Sequence, residues 1–529
     1  MALVFNSLLL DACFAALSLL AALYVYLSRN SGYWERRGVC CARPTPFLGS
    51  IPGVLLLRES VGCWLARRHR ETAGESFFGA YFVDRPVLVV RDLELVKSVL
   101  VRDAHAFLDR TFAASEDLDP LMAKNLFGLK GNKWRHLRAK LSPTFTSGRM
   151  KKMFYLVDEC GKQLASCLQQ SASSGAPVDV RETMARYNTD VIASCAFGVK
   201  TEAQVDSKCE FRAVLKKTFD RNTFSLIFVV PVLVRIFRLK AVATDIENFV
   251  RRMFWDVVDQ RRNNKELVRN DFMDLMIKIM DEGEVQSEDA NDQEEINLDE
   301  SYRSIESYKN DNTSFELKDD DFVAQAFVFL VAGFEGSSLT LTYALYELAL
   351  NPGIQEKLRN EITTKLSTHG GKLSYHAMTG LPYLEMVVSE TLRKYPPATF
   401  LDRECLSDFI IPGTQLTIET GTQIMIPVLG IHFDPEIYSE PQKFDPERFS
   451  DENKNKIPQY AYLPFGEGPR FCIGKRFALM QVKTALAYVV SSFQVCACAE
   501  TPSPPLQYKP DAPTHSPTED IVLVFRKLE

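Results

Sequence analysis

The stretch "YLPFGEGPRFCIGKRF", residues Tyr462–Phe477, decides how the rest of this chain is interpreted. Its one cysteine, Cys472, ends a glycine-rich loop, and the sequence after it, "KRFALMQVKTALAYVVSSF", is typical of a helix. Backbone N–H groups at the start of a helix favour a thiolate and lower the pKa of the thiol. Gly468 and Gly474 permit a close approach that side chains would block. The stretch therefore predicts a soft, anionic sulphur ligand held against a flat group.

The pattern Phe465-x-x-Gly468-x-Arg470-x-Cys472-x-Gly474 is more specific than the cysteine alone. A lone cysteine is usually a buried structural thiol, and that is the alternative interpretation of Cys472. The whole pattern has to be explained together, however, by one chemical purpose. A cysteine thiolate is a standard axial ligand of haem iron, where it favours O–O cleavage. The pattern thus predicts Cys472 as the metal ligand of a haem.

The composition of the whole chain suits a large packed core. The chain has 529 residues, 46% of them hydrophobic, and a formal net charge of −6. A balance this close to neutral gives no argument for nucleic-acid binding. The 12 cysteines show no disulfide or zinc-ligand spacing. We expect most of them to be buried free thiols in a reducing compartment.

An apolar run, "LLLDACFAALSLLAALYVYL" at residues 8–27, lies near the start of the chain. Its length of about 20 residues is what a bilayer-crossing helix needs. Arginines follow at positions 29, 36, 37 and 43, and positive charge after a span marks the cytosolic side. We expect residues 1–28 to be a transmembrane anchor. A cleaved signal peptide is the alternative.

Composition also divides the rest of the chain. Residues 29–53 contain prolines and glycines and predict a stiff linker. Residues 54–529 predict one catalytic domain. Within it, residues 281–320 are acidic and polar and predict a mobile, solvated loop. The very apolar residues 223–237 predict either a core helix or a loop that dips into the bilayer surface.

The segment Asp319–Leu350 predicts a helix long enough to cross a domain, with aspartates at its start and Pro352 beyond its end. Its centre, "AGFEGSS" from Ala332 to Ser338, is small and partly polar. Each of the two glycines costs roughly 1 kcal/mol of helix stability relative to alanine. One interpretation is close helix packing. The other is a groove for a flat ligand, in which Glu335 and the serines handle protons.

A second helix, predicted within residues 381–397, places Glu390 and Arg393 on one face because they are three residues apart. Arg448 follows in the stretch "FDPERF". A buried triad of these three residues would lock that stretch beneath a cofactor. The same spacing is also met by ordinary surface ion pairs, so both interpretations stay open.

The chain resembles the cytochrome P450 family in its microsomal, membrane-anchored animal form. The resemblance rests on the cysteine-loop pattern, the Glu390-x-x-Arg393 pair, the "PERF" stretch and the "AGFE" helix centre, and it covers essentially the whole length. It implies a mainly α fold with smaller β-sheets (α+β), in which haem b lies between the long helix and the cysteine loop. Strand-like patterns within 77–92 and 414–431 agree with such sheets.

The resemblance also implies roles for the matching residues. Cys472 is the proximal iron ligand, and Phe465 packs near its sulphur. The structural triad consists of Glu390, Arg393 and Arg448. The residues implied to bind the haem, mainly at its carboxylates, are Trp134, Arg138, Arg403, Arg470 and Arg110, together with Gly474 in the loop. For each arginine the alternative is an ordinary surface charge.

One position departs from the family's pattern. Gly336 stands where the family usually has a threonine, whose hydroxyl helps to deliver protons. Ser337 is the next residue, but it lies about 100° further round the helix. The resemblance implies a monooxygenase with Glu335, Gly336 and Ser337 at its catalytic positions and with altered proton delivery. A haem-thiolate isomerase or dehydratase acting on lipid peroxides without a reductase is one alternative, and a non-enzymatic haem sensor is another.

Substrate and partners follow from the same resemblance. We expect lipophilic small molecules to enter from the membrane into a pocket formed by Phe327, Ala332, Phe334, Ala398, Phe400, Leu401 and part of the loop 111–128. Electrons are expected from NADPH through a membrane-bound reductase, with cytochrome b5 as a further partner. A basic docking face for them is formed by Lys133, Arg135, Lys140, Lys475 and Arg476. The expected location is the endoplasmic reticulum membrane, with the catalytic domain on its cytoplasmic side.

Overall fold

The computed structural model describes residues 8–112, 114–219, 238–264, 266, 268–283 and 317–528. The apolar segment 223–237 lies outside the described residues, and so do residues 284–316 of the acidic stretch 281–320. Both interpretations of the apolar segment, and the mobile loop expected in the acidic stretch, therefore stay predictions.

Helices dominate the described structure. The first half of the chain contains α1 (Leu8–Ser28), α2 (Pro52–Leu55), α3 (Val61–Glu71), α4 (Leu93–Lys97), α5 (Pro120–Ala123), α6 (Gly131–Leu141), α7 (Ser147–Ser174), α8 (Val180–Ala196), α9 (Glu210–Phe219), α10 (Thr244–Asn263) and α11 (Phe272–Glu282). The second half contains α12 (Asp319–Leu350), α13 (Pro352–Thr368), α14 (Tyr375–Thr379), α15 (Pro382–Lys394), α16 (Val428–His432) and α17 (Lys475–Ser492). Shorter 3-10 turns lie at Glu35–Arg37, Ala104–Ala106, Ser142–Phe145, Pro446–Phe449 and Lys454–Lys456, and a π turn lies at Ser98–Arg102.

Short strands form small sheets at the edges of the helical body. They are β1 (Phe77–Phe82), β2 (Arg85–Val90), β3 (Val178–Asp179), β4 (Leu401–Glu404), β5 (Phe409–Ile410), β6 (Thr417–Ile418), β7 (Gln423–Ile426), β8 (Phe493–Ala497) and β9 (Val522–Lys527). The largest sheet has the order β1-β2-β7-β4, and the others are β3-β9-β8 and β5-β6. Parallel pairing sets Leu88 opposite Ile424, and antiparallel pairing sets Ile424 opposite Arg403. The mainly α fold with small sheets is confirmed.

The stretch 414–431 differs from its sequence-based interpretation at one end. The structure forms strands β6 and β7 there, but Val428–His432 turns into helix α16. The change follows Pro427, which cannot donate a ladder hydrogen bond and so ends a central strand.

The long helix α12 has the predicted bounds. At its start, the carboxylate of Asp321 accepts a hydrogen bond from the backbone N–H of Lys318 at 2.8 Å, and Pro352 begins the next helix after its end. A Cβ added to Gly333 would lie 2.5 Å from Cδ1 of Ile192 on α8, so this glycine permits close packing of the two helices. That contact supports the packing interpretation of the helix centre at one position.

Two helices are long and apolar enough to cross a membrane among the described residues. The most apolar part of α12 is 67% buried, which identifies it as a core helix, whereas that of α1 is 0% buried. The leucines of α1 between Leu9 and Leu23 are accordingly exposed, with Leu9 at 76%. An exposed apolar helix of this length fits the interior of a bilayer.

Candidate functional site

The loop that carries Cys472 is tightly folded. The backbone N–H of Cys472 donates to the carbonyl oxygen of Phe465 at 2.9 Å. Gly466 and Gly468 have φ angles of 69° and 71°, a region that side chains rarely tolerate. A Cβ on Gly468 would also lie 1.7 Å from the carbonyl oxygen of Leu100. Conformation and space both require glycine at position 468, as the sequence pattern indicates.

A cavity of about 400 Å³ lies between α12 and the cysteine loop. This volume is within the usual range of small-molecule sites. Most of the residues that the sequence predicts for the site meet on its wall, namely Arg110, Trp134, Arg138, Ala332, Gly336, Ser337, Ala398, Leu401, Arg403, Phe465, Arg470, Cys472 and Gly474. Residues distant in sequence are thus gathered around one space.

The thiol of Cys472 faces this cavity. Cys472 has a large accessible area, but it belongs to the cavity wall and not to the outer surface of the protein. Burial raises the pKa of the thiol, while the backbone N–H of Gly474 and the charges of Arg138 and Arg110 lower it. The lowering expected from the helix start is therefore outweighed by burial.

Arg470 connects the cavity to the loop before α6. Its Nε donates to the carbonyl oxygen of Leu108 at 2.9 Å, and its Nη2 donates to Asp109 at 3.0 Å and to the carbonyl oxygen of Leu129 at 2.9 Å. Its guanidinium lies 3.9 Å from the centre of the Trp134 ring. The buried Nη1 has no hydrogen-bond partner among the described residues. This donor is placed to bind an acceptor in the cavity.

Arg110, Arg138 and Arg403 share the same wall. Burial, and then the charge of Arg110, lower the pKa of Arg403 to about 10, although the carboxylate of Asp402 opposes them. Among the described residues that line the cavity, four are arginines and none is an aspartate or a glutamate. Guanidinium groups pair with carboxylates in a fork geometry, so this wall suits a group with negative charge.

The thiol and the arginines together fit a haem. Its iron accepts a cysteine thiolate, which Cys472 can provide. The carboxylates of the haem match the arginines on the cavity wall, where the unpaired Nη1 of Arg470 can donate a hydrogen bond to one of them. The chemistry of the donor set therefore agrees with the group that the sequence predicts.

The structure brings the predicted triad together. Glu390 accepts two hydrogen bonds from Arg393, one from Nε at 2.7 Å and one from Nη2 at 2.8 Å, and both side chains are fully buried. Arg448 Nε lies 3.4 Å from the same carboxylate, which also accepts the N–H of Asp445 at 2.9 Å. Removing one partner of such a buried pair is costly because the other charge is left uncompensated.

His432 joins this network to the cysteine loop, although no sequence signal indicated it. Its Nε2 accepts the backbone N–H of Leu463 at 3.0 Å, so its Nδ1 carries the proton and donates to the carbonyl oxygen of Arg393 at 2.9 Å. Burial, and then the charge of Arg393, lower the pKa of His432 to about 3. The ring is therefore neutral at physiological pH.

Glu335 does not reach the cavity wall, unlike Gly336 and Ser337. Its carboxylate is buried on another side of α12, 3.6 Å from Arg181 and 3.4 Å from the hydroxyl of Ser516. Burial raises its pKa, and the charge of Arg181 opposes the rise. The expectation that Glu335 handles protons at the cofactor is thus not met by direct contact, because the helical period turns it from the cavity-facing side.

Three of the predicted pocket residues need correction. Phe327 and Phe334 lie in the core, and Phe334 packs against Phe219 with ring centres 5.8 Å apart. They are on α12, where the cavity-facing positions include Ala332 and not 327 or 334. Phe400 packs in a separate core cluster, because alternation along the chain puts it opposite Leu401.

An aromatic cluster that the sequence analysis missed takes their place. Phe145, Phe272 and Phe329 all line the cavity. Ring centres of Phe272 and Phe329 are 4.3 Å apart, and those of Phe145 and Phe329 are 5.3 Å apart. Phe329 lies three residues before Ala332, so helical spacing could have found it. The other two come from distant elements and had no such signal.

The structure also describes the surroundings of the unusual glycine. A Cβ on Gly336 would lie 3.7 Å from Cβ of Pro397, an ordinary contact, so a side chain fits there. The hydroxyl oxygen of Ser337 accepts a hydrogen bond from Nε2 of Gln481 on α17. Gln481 also donates to the carbonyl oxygen of Gly333 at 3.0 Å. Ser337 is thus on the cavity wall but held toward α17.

The predicted basic face lies on two elements, α6 and the start of α17. Lys133 and Lys475 are exposed, whereas Arg135, Lys140 and Arg476 are half-buried. Nζ of Lys133 is 3.8 Å from Glu116. The docking role of this face stays a proposal.

A thiol that faces a mainly apolar cavity with four arginines on its wall, beside a long core helix, defines a haem-thiolate protein. The Cytochrome P450 family model matches residues 41–523, and the chain belongs to this family. It is accordingly a monooxygenase that incorporates oxygen and contains haem, whose iron is bound by a cysteine thiolate. The family also implies lipophilic substrates and a redox partner such as a reductase.

Similar proteins occur in insects. The chain is 42% identical to Cytochrome P450 6k1 of Blattella germanica over 524 residues, which cover 98% of this chain and 97% of that protein. It is 41% identical to Cytochrome P450 6j1 of the same organism, covering 94% of each chain. Identity to Cytochrome P450 6a2 of Drosophila melanogaster is 37%, covering 93% of this chain and 94% of that one.

Proposed function

We propose that this protein inserts one oxygen atom of O2 into lipophilic small molecules, of xenobiotic, steroid or fatty-acid type, with electrons from NADPH delivered by a reductase. The observation that carries the proposal is the aromatic and aliphatic cavity wall that lies beside the thiol of Cys472. Such a wall binds apolar molecules of complementary shape more tightly, and it offers few polar groups to a hydrophilic substrate.

The residues of this chain then divide the work of holding the cofactor. Cys472 ligates the iron, and Arg110, Arg138, Arg403 and Arg470 bind the carboxylates. Trp134 packs beneath the guanidinium of Arg470 and fixes its direction. When bound, the haem supplies the activation of O2, which the thiolate assists.

Proton supply is assigned to Ser337 and Glu335 in different positions. The oxygen of Ser337 accepts from Gln481, so its own O–H remains able to donate toward the cavity. Glu335 has a raised pKa but is buried behind the wall, and it serves as a more distant proton reservoir. Gly336 contributes no hydroxyl, so we expect part of the electron flow to be lost without product.

The remaining proposals concern location and partners. The exposed apolar helix α1 and the arginines after it support a single anchor in the endoplasmic reticulum membrane, with residues 54–529 on the cytoplasmic side. Lys133 and Lys475 belong to a basic face for the reductase and for cytochrome b5. Rim charges of this kind act mainly on the rate of association.

The test is reconstitution of the full chain with reductase and NADPH in vesicles, against a panel of fatty acids, steroids and aromatic hydrocarbons. We expect hydroxylated products, and we expect Gly336→Thr to raise the yield of product per NADPH consumed. Conversion of lipid hydroperoxides without NADPH, together with no NADPH-dependent product from any compound, would overturn the proposal in favour of a peroxide isomerase.

A further inference from the structure

Gln325 is a fully buried residue of α12 that does not line the cavity among the described residues. Its side-chain oxygen accepts the backbone N–H of Leu126 at 2.9 Å, and its nitrogen donates to the carbonyl oxygen of Lys124 at 3.0 Å. The same nitrogen donates to the carbonyl oxygen of Asp321 at 2.7 Å, one turn earlier in α12. One amide therefore holds the backbone of a loop to the core helix on both sides of Asn125.

The residues held in this way form part of the cavity wall. Leu126 and Phe127 both line the cavity, and the ring of Phe127 lies 3.9 Å from the guanidinium carbon of Arg110. Asn125 tightens the turn, since its side-chain oxygen accepts the N–H groups of Phe127 at 2.9 Å and Gly128 at 3.0 Å. A shift of this short segment would therefore move two wall residues together.

The chemistry of the amide explains why a glutamine is suited to this position. The loop presents one carbonyl acceptor and one N–H donor, and a carboxamide has one donor and one acceptor group at matching spacing. An apolar side chain of similar shape would leave the buried N–H of Leu126 and the partly buried carbonyl of Lys124 unbonded, and a buried unbonded group costs about 1–3 kcal/mol. The loop would then move to satisfy them elsewhere.

We propose that Gln325 is a specificity-determining residue of this enzyme that acts by positioning Leu126 and Phe127. It sets the shape of one cavity wall without touching the substrate. The inference rests on the proposed function for its substrate class, but the positioning itself does not. It concerns which lipophilic molecule is preferred, not whether oxygen is transferred.

The chain offers a matched control in Gln355. This residue is 2% exposed, and its amide makes the same paired bonds to one backbone segment, accepting the N–H of Val495 at 2.9 Å and donating to its carbonyl oxygen at 2.8 Å. Gln355 lies on α13 and holds strand β8, and neither it nor Val495 lines the cavity. The oxygen of Gln355 also accepts Nη2 of Arg359 at 2.7 Å, so the purely structural effect of losing the amide should be at least as large at Gln355 as at Gln325.

The experiment compares Gln325→Met and Gln355→Met in the full-length holoenzyme, with dodecanoic acid and progesterone as a slender and a bulky probe. Dissociation constants come from equilibrium dialysis, and turnover gives kcat and KM separately. We expect the ratio of the two dissociation constants to change by about tenfold in Gln325→Met, the scale of discrimination by apolar contacts. In Gln355→Met it should change less than about twofold, although stability falls in both.

Hydrogen exchange supplies a readout that needs no turnover. The amides of residues 124–128 should exchange faster in Gln325→Met and stay unchanged in Gln355→Met. Equal changes of the binding ratio in the two variants, or an unchanged ratio in Gln325→Met, would overturn the inference. Absence of product in the wild-type protein, with the exchange and binding effects intact, would instead remove the proposed reaction and leave the positioning role.

A second pair of variants tests the same inference if the methionine variants fold poorly. Gln325→Glu keeps an acceptor for the N–H of Leu126 and loses the donor to Lys124. Gln355→Glu likewise keeps an acceptor for the N–H of Val495 and loses the donor to its carbonyl oxygen, and its carboxylate also faces Nη2 of Arg359. The same ratios and the same outcomes apply to this pair.

Discussion

The two sides of the cavity are built differently. On the cysteine side, the loop rests on fully buried charged groups, with Glu390 and Arg393 joined by two short hydrogen bonds. On the opposite side, the wall consists of aromatic rings such as Phe145 and Phe329 and a loop held by the neutral amide of Gln325. The first side fixes one geometry for one bound group, because breaking a buried ion pair is costly. The second side tolerates changes of shape.

Two buried histidines differ in the hydrogen bonds of their ring nitrogens. His432 on the cysteine side has a partner for each ring nitrogen. His515, whose backbone N–H donates to the carbonyl oxygen of Pro397 at 3.3 Å, has no partner for either ring nitrogen among the described residues. Its ring lies against Tyr508 with centres 3.7 Å apart. Of these two buried rings, only that of His432 is held by hydrogen bonds among the described residues.

The largest effect is expected at the metal ligand. Cys472→Ser should abolish the thiolate-type absorption band of the reduced carbon monoxide adduct and all NADPH-dependent product. Cys195 is a matched control, since it is a second free thiol on the cavity wall. Cys195→Ser should retain the band. A thiolate-type spectrum in Cys472→Ser would remove the assignment of the iron ligand.

The next effect concerns the ion pair behind the cysteine loop. Glu390→Gln leaves the buried charge of Arg393 without its carboxylate, and we expect about 3–5 kcal/mol lower stability and poor haem retention. Glu71→Gln breaks exposed pairs with Arg67 and Arg68 and should cost about 0–1 kcal/mol. Urea unfolding measures both. Equal losses in the two variants would contradict the special role of the cysteine side.

The histidines give a pH-dependent prediction. Burial lowers the pKa of His432 and of His515 to about 3. As pH falls below the ordinary value of about 6.5, the unfolded chain binds protons that the folded chain does not. The contribution of these two neutral histidines to the free energy of unfolding is therefore complete above that pH, and it is lost as pH falls toward 3.

Variants separate the two histidines. His515→Leu should make this loss shallower and leave stability at pH 7.5 within about 1 kcal/mol, because no hydrogen bond is lost. His432→Phe should also flatten it, but it leaves the N–H of Leu463 and the carbonyl of Arg393 buried, at about 1–3 kcal/mol each. Urea midpoints between pH 7.5 and 5 measure both effects. A large loss in His515→Leu at pH 7.5 would show that its ring nitrogens are satisfied.

The smallest effect on the haem site is expected at the aromatic wall. Phe329→Leu removes ring contacts with Phe272 and Phe145, each worth about 0.5–1.5 kcal/mol beyond burial. It should shift the product distribution for lipophilic substrates and leave the carbon monoxide spectrum unchanged. Chromatography of products at matched haem content provides the measurement. Loss of the spectrum would mean that the two sides of the cavity are not independent.

The same contrast explains what the sequence could predict. Short sequence motifs predict the cysteine side, because the turn at Gly468 and the three-residue spacing of Glu390 and Arg393 are requirements of local structure. The bounds of α12 also followed from local start and stop residues. The opposite wall comes from distant elements, and no local rule brings Phe145 to Phe329.

The errors in the pocket have a related cause. Phe327 and Phe334 are as apolar as Phe329, so only the rotational position of α12 distinguishes core from cavity. That position is set by packing against α8, where Gly333 admits Ile192. The same rotational position turns Glu335 away from the cavity wall.

Arg470 ties these two sides together. Its guanidinium donates to the carbonyl oxygens of Leu108 and Leu129, which lie at the two ends of the loop that carries Leu126 and Phe127. Its Nη1 remains for a carboxylate of the haem. Binding of the haem and positioning of this part of the cavity wall thus depend on one side chain. A substitution of Arg470 would therefore disturb both the binding of the haem and the position of Leu126 and Phe127.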